Sequence, residues 1–349
     1  MTRLITRHAL RRVTSPSPLW TLSAPDLPDF LPMRTYVPGD AQMVPGLENY
    51  SGRLSYEKKI TCAGTLRILL HGVDGQAQVS LDGSMIAEGS GCITTLVEDI
   101  PYEQHVLRVD VTGGSGRSRP VTIEQMGSAY ITALQITPRQ QGRIWLCDIS
   151  VTLQSLCDEA KPFELELTAG PARTRWEDQE LPARASVTLK RTVPAPGAKR
   201  WSPARPQLYA ASCVLWLDGE PADDIRDRFG FRTAEIAGNS PVINGKTLDG
   251  ALMHRDDHCG LTGRTVPSEA IVRDVQLLRA MGCVAVRTGD DRRFLDACDE
   301  IGLCVLADKA IGNHPCIIVN DTVSAMALPR FADTEMDSDG ILDQFRQTK

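Results

Sequence analysis

The chain has 349 residues, with 38 basic against 44 acidic side chains, a net charge of −6, 42% hydrophobic and 23% charged residues. That balance argues against a basic nucleic-acid or membrane-binding face, and the composition is that of a globular chain long enough for two or three domains. No run approaches 18 apolar residues, so no membrane-spanning helix is expected.

Arg3, Arg7, Arg11 and Arg12 open the chain, and no acid precedes Asp26. The stretch lacks the apolar core of a secretory signal, so residues 1–45 are expected to be a basic tail and linker on a cytoplasmic protein. Ten cysteines are present, without CxxC or metal-ligand spacing. Several sit in apolar runs, such as Cys283-Val284-Ala285-Val286, so buried free thiols and a reducing compartment are expected.

Residues 46–126 read as an antiparallel sandwich. Leu66–Leu70 precedes an Asp74-Gly75 turn, Ala77–Leu81 alternates up to Asp82-Gly83, and Val106–Val111 ends at Gly113-Gly114. Residues 127–238 carry further alternating runs, Ile149–Leu153, Phe163–Leu167 and Ser186–Leu189, separated by Pro and Gly. That length and pattern fit one immunoglobulin-like sandwich. The charged run Asp223–Arg228 is expected as a solvated turn.

After Gly238 the pattern changes. Ser268 is expected to cap a helix with Ile271, Val272, Val275, Leu278 and Met281 along one stripe, ended by Gly282. A strand at Cys283–Arg287 follows, then a second helix over Arg292–Glu300, Gly302, and a strand over Leu303–Leu306. Helix, glycine and strand in repetition predict a parallel α/β domain over 239–325. Residues 326–349 are expected as an acidic polar tail, with Ile341, Leu342 and Phe345 able to form a short helix.

The junction motifs carry a resemblance. Trp201-Ser202-Pro203-Ala204-Arg205-Pro206-Gln207-Leu208-Tyr209, Arg228-Phe229-Gly230-Phe231-Arg232, Ile243-Asn244-Gly245-Lys246, the segment Asp274–Thr288, Phe294–Val305 and Asn313-His314-Pro315 occur in this order. Their order and spacing resemble the family 2 glycoside hydrolases, which include β-galactosidases, β-glucuronidases and β-mannosidases. Gly72-Val73-Asp74 and Val79–Gly83 resemble the jelly-roll motifs of the same family. The resemblance implies a multidomain β plus α/β fold: a jelly-roll β-sandwich, an immunoglobulin-like β-sandwich, then an incomplete TIM (β/α) barrel. It implies retaining hydrolysis of terminal β-glycosides by two glutamates. Without metal-ligand spacing in the sequence, no metal is expected, and no cofactor is expected either.

The chain departs from the family at the chemistry. Asp249, Leu252 and Arg255 replace the Arg, Asn and Glu of the family's L-R-G and N-R-H-E, and Arg287-Thr288 lacks the His-bearing segment that follows it in relatives. Asn320-Asp321 stands where the Asn-Glu acid/base pair is expected, which makes Asp321 the candidate acid/base relic. The resemblance marks His254, Asn320 and Asp308 as candidate substrate-binding residues and offers no nucleophile. Arg287 is expected in a structural ion pair, and Asp256, Asp257 and His258 in a polar loop.

A complete barrel takes about 250 residues. Residues 239–349 are too few for one, so a truncated barrel is expected. The expected ligand is a β-linked saccharide, with neither nucleic acid nor membrane as partner. The expected activity is weak or absent. The alternative is a non-catalytic carbohydrate-binding or assembly module, or a relic completed by a homo-oligomer or complementing chain.

Overall fold

Side chains that point alternately in and out build the first half of the chain. The computed structural model describes residues 7–117, 119–238, 240–287, 291–308, 311–319 and 331–348. One unit comprises 11–127 together with 258–266; the other comprises the residues up to 10, 128–257, and those from 267 on.

The first unit holds β1 (Arg12–Thr14), β2 (Leu19–Ser23), β3 (Met33–Tyr36), β4 (Gly39–Asp40), β5 (Leu54–Leu81), β6 (Ser84–Arg117) and β7 (Val121–Met126). All pairings are antiparallel, in the order β1-β7-β5-β2-β3, with β6 joined to both β5 and β4. Strands β5 and β6 are long ribbons that bend across the jelly-roll. Leu54–Cys62 pairs with Glu103–Val111, and Leu66–Leu70 pairs with Ile93–Val97 on one side and Val121–Gln125 on the other. Leu22, Ile68, Leu70, Val79, Leu107, Val109 and Val111 fill the core. Asp82 and Gly83, with φ of 51° and 84°, close the tight turn between Leu81 and Ser84, the conformation an Asp-Gly pair favours.

The expected linker over 1–45 is corrected here. Leu19–Ser23 alternates as a strand, with Trp20 and Leu22 buried, and pairs with both β3 and β5. Its five residues lie among Pro16, Pro18 and Pro28, which mask so short a signal. Nor is Arg11 frayed: buried, it pairs with Glu124 at 2.7 Å. Residues 258–266 join this unit through the Arg264 N–H, which donates to Asp40 Oδ2 at 2.9 Å.

In the second unit, β8 (Ala129–Gln141), β9 (Ile144–Ser155), β10 (Lys161–Ala169), β11 (Ala172–Leu181), β12 (Ser186–Ala195), β13 (Tyr209–Leu217) and β14 (Glu220–Phe229) form an immunoglobulin-like sandwich. One antiparallel sheet runs β12-β9-β8 and the other β11-β10-β13-β14. Val151, Leu153, Leu165, Leu167, Cys213 and Leu215 meet between them. Phe231 packs edge to face against both Tyr209 and Phe229 at one end, with centroids 5.2 and 5.1 Å away. Asp223–Arg228 is no solvated turn but part of β14. Asp223 and Asp224 are buried and accept the N–H groups of Ile131 (2.7 Å), Ala9 and Leu10 (both 2.8 Å). Carboxylates tolerate burial where backbone donors replace water.

A small antiparallel sheet, β15 (Ala234–Ala237), β16 (Ser240–Ile243) and β17 (Lys246–Thr247), leads into alternating β and α elements. These are β18 (Ala251–Arg255), α1 (Ser268–Ala280), β19 (Cys283–Arg287), α2 (Arg292–Ile301), β20 (Cys304–Ala307), β21 (Ile317–Val319), β22 (Phe331–Met336) and α3 (Ser338–Thr348). The five strands are parallel in the order β21-β20-β19-β18-β22 and make an incomplete TIM barrel.

Ile271, Val275 and Leu278 form the buried stripe of α1. Pro267, not Ser268, occupies its N-cap, and no side chain caps it. Gly282 and Gly302, both at φ 82°, end the two helices in the left-handed conformation. The expected polar tail is corrected as well: β22 pairs with β18, and α3 follows it. Among the described residues no helix is long and apolar enough to cross a membrane.

Candidate functional site

Ligands of parallel β/α folds bind where the strands end. At that edge His254 lies in register with Arg287, and Arg287 with Leu306. Residues in register share a sheet face, so His254, Arg287 and Leu306 form one row. Asp308 follows Leu306 by two residues, just past β20, and is exposed. With strands roughly 4.8 Å apart, His254 and Leu306 lie about 10 Å from one another across β19, and Asp308 lies beyond that row. Asn320 and Asp321 fall outside the described residues. His254 also stands opposite Glu335 of β22 in the backbone register.

Arg255, one residue on, points the other way, toward the helices. It is buried, pairs with Asp257 and with Asp274 Oδ2 (3.1 Å), and lies over the Phe294 ring at 4.5 Å. Ser338 Oγ donates to the same Asp274 oxygen at 2.6 Å, which ties β18 to α1 and α3. Where the family carries the Glu of N-R-H-E, this chain has a structural cation. The expected ion pair belongs to this residue: among the described residues Arg287 has no carboxylate partner.

The motifs that carry the family resemblance form a buried clamp. Trp201 Nε1 donates to the Asp299 carbonyl at 2.9 Å. Arg228 pairs with Glu300 and with Asp296 (3.2 Å), while Arg232 donates to the carbonyls of Pro315 and Ile317. Gly230 is needed for close approach, since a Cβ there would stand 2.8 Å from Trp201 Cβ and 3.0 Å from Pro315 Cβ. Asn313 accepts from the Ile136 N–H at 2.8 Å and donates to Leu134 O at 3.0 Å and Asp227 Oδ2 at 2.9 Å. His314 Nδ1 bonds Asp299 Oδ2 at 2.6 Å, and Asp299 Oδ1 takes the Cys316 N–H at 2.8 Å. The side chains of the family motif Asn313-His314-Pro315 thus hold sandwich to barrel.

The electrostatics of the clamp follow from that geometry. Burial opposes charge on His314, but its bond to Asp299 and the nearby Asp299, Asp296 and Asp227 carboxylates outweigh it and raise its pKa above 6.5. Burial raises the pKa of Asp296 despite His314 and Arg228. The ten cysteines are free, and burial pushes Cys283 and Cys304 up to about 12, far from a reactive thiolate.

Among the described residues, two groups bring ligand-type atoms within 4.8 Å of one another: His8 with Asp223 and Asp224, and Asp296 and Asp299 with His314. Their carboxylates already accept backbone N–H groups, an arginine or the imidazole. These groups are structural hydrogen-bond hubs, and neither assigns a metal.

Two sandwiches and a partial parallel β/α barrel define a multidomain protein of β plus α/β class. The model for "Glycosyl hydrolases family 2" matches residues 129–232, and that for "Glycosyl hydrolases family 2, TIM barrel domain" matches 234–344. The chain belongs to glycoside hydrolase family 2. β-Galactosidase BgaC of Bifidobacterium adolescentis is 24% identical over 326 residues, covering 81% of this chain and 29% of its own length. A β-galactosidase of Halalkalibacterium halodurans is 28% identical over 132 residues, 37% of this chain and 13% of its own length.

Among solved structures, the β-galacturonidase of Eisenbergiella tayi bound to galacturonate superposes with a TM-score of 0.81 at 26% identity, over 88% of this chain and 59% of that one. The β-glucuronidase of Bacteroides uniformis, with a TM-score of 0.74 and 17% identity over 88% of this chain and 46% of that one, shows the shared fold. The chain thus spans under a third of the length of these two curated relatives.

Proposed function

We propose that this chain binds terminal β-linked saccharides at the carboxyl edge of its barrel sheet and by itself hydrolyses them weakly or not at all. The observation that carries the reading is the division of labour around β18 and β19. One sheet face carries His254 and Arg287 at the edge, with Asp308 just past the end of β20, while Arg255 and Asn313-His314-Pro315 are committed to structural contacts. Asp321 is the candidate proton donor to the glycosidic oxygen, with Asn320 beside it against the sugar.

Retaining hydrolysis needs a second carboxylate about 5–5.5 Å from the acid to form the glycosyl-enzyme. No residue of this chain is assigned that role. Proton donation alone contributes on the order of 10²–10⁴-fold, far below what glycoside hydrolysis requires. β-Galactosides and β-galacturonides are the first ligands to test, because the relatives above act on such sugars by name.

The test is hydrolysis of a panel of chromogenic β-glycosides by the purified, folded chain, with Asp321→Asn beside it. Saccharide binding without measurable turnover supports the reading. Turnover abolished by Asp321→Asn overturns the inactive half of it, and absence of any sugar binding overturns the rest.

A further inference from the structure

In the jelly-roll, an ionisable ring fills one position of a core row. His105, Leu107, Val109 and Val111 alternate along β6, and all four are buried. Ile60, also buried, stands opposite His105 in the ladder. A polar side chain in such a place must keep its hydrogen bonds, and the imidazole keeps one at each nitrogen. Nδ1 lies 2.6 Å from Asp82 Oδ2, and Nε2 lies 3.0 Å from the Pro101 carbonyl. Both partners are acceptors. A neutral ring has a single N–H and serves one of them, whereas the imidazolium serves both.

The two acceptors belong to different parts of the sheet. Asp82, at φ 51°, sits in the turn between β5 and β6, and its Oδ1 also accepts the Val106 N–H at 2.7 Å. Pro101 sits farther along β6. Cys62 pairs with Glu103 and Gly64 with Ile100, so Pro101 and Tyr102 together stand opposite Ala63 alone. That two-against-one count is a β-bulge, which bends the strand and interrupts its ladder. His105 ties this bulge to the Asp82 turn. The carboxylates of Asp82 and Glu103 act on the ring, and the Cys62 thiol of β5, raised by burial and by Asp82, lies nearby. The bonds to Asp82 and Pro101 raise the His105 pKa above 6.5, against the effect of burial.

We propose that His105 is a proton-operated latch: its imidazolium holds the β6 bulge to the Asp82 turn, and loss of the proton frees residues 99–103, with exposed Tyr102, while the rest of the jelly-roll stays folded. The bond to the carboxylate is the stronger of the two, so the neutral ring keeps its N–H on Asp82 and releases Pro101. The stability that the latch adds is complete below 6.5 and is lost as pH rises through the higher folded value.

NMR of the full chain carrying isotope-labelled histidine, followed through an alkaline titration beside backbone amide exchange, tests it. At neutral pH both ring nitrogens of His105 carry protons. As the ring deprotonates, the protection factors of the amides within residues 99–103, corrected for the intrinsic pH dependence of exchange, fall at least about tenfold, while those of Leu107 and Val109 hold. His105→Gln leaves the bulge open at every pH, because one amide nitrogen cannot reach both acceptors. Asp82→Asn acts in the opposite sense. Its amide donates to the unprotonated Nδ1 while the Nε2 N–H stays on Pro101, so the latch remains shut on a neutral ring and the pH step disappears. Asparagine also tolerates the left-handed backbone of that turn.

A His105 ring that is neutral at neutral pH overturns the proposal. So does protection of residues 99–103 that stays constant while the ring titrates. A pH step that persists in Asp82→Asn overturns the latch as well, because the two acceptors would then have no part in it. If His105→Gln does not fold, the titration of the unaltered chain and of Asp82→Asn still decides, with His105 identified by the ring signal that moves in Asp82→Asn.

Discussion

Replacing Asn313 with alanine tests whether the Asn-His-Pro segment is a clamp. The asparagine satisfies two buried backbone groups of β8, the Ile136 N–H at 2.8 Å and the Leu134 carbonyl at 3.0 Å, and also donates to Asp227 at 2.9 Å. Alanine leaves both backbone groups without a partner, at about 1–3 kcal/mol each. Asp227 keeps Arg7 at 3.2 Å, so its share of the loss is smaller.

The expected destabilisation is about 3–5 kcal/mol, which for a unit of this size lowers the melting temperature by roughly 10 °C. Asn313→Asp sharpens the test. Its oxygen still accepts from Ile136, but the second oxygen faces a carbonyl and the Asp227 carboxylate. That variant should be at least as unstable as the alanine at pH 7 and should recover toward acidic pH. Urea melts followed by tryptophan fluorescence read both effects. A loss below about 1 kcal/mol for Asn313→Ala, against an exposed-threonine control, would refute the clamp.

Three further outcomes follow from the same contacts. His314 has a raised pKa in the folded chain, so the stability it contributes is complete below its ordinary value of 6.5 and is lost as pH rises through the higher folded value. Melting temperature should therefore decline as pH rises above 6.5, and His314→Gln should flatten that decline. Arg255→Ala takes the fully buried cation from Asp274, which keeps only half-buried Arg273 and the Ser338 hydroxyl, and should cost about 3 kcal/mol in urea melts, whereas a change at exposed Arg346 should cost under about 0.5 kcal/mol. Gly302→Ala places a Cβ 2.3 Å from the Pro203 carbonyl oxygen at φ 82° and should cost at least about 1–3 kcal/mol; a neutral result in a thermal melt would contradict the packing of α2.

By itself the sequence determined the local grammar. Period-two alternation in Ala77–Leu81, the Asp82-Gly83 turn, the α1 stripe and the glycines at 282 and 302 are consequences of backbone geometry within a few residues. The ordered motifs from Trp201 to Pro315 identified the family for the same reason, since each is a short run with its own packing duty. Strands of three to six residues carry too little period to be seen, so β1, β2 and β22 emerged only where the sheet offered them partner strands. Burial of Asp223 and Asp224 depended on distant backbone donors at Ile131, Ala9 and Leu10, which no local pattern encodes. Tertiary structure alone decided that Arg255 turns to Asp274 while Arg287 faces the row of His254, because two arginines of the same charge differ only in what the sheet and helices place against them.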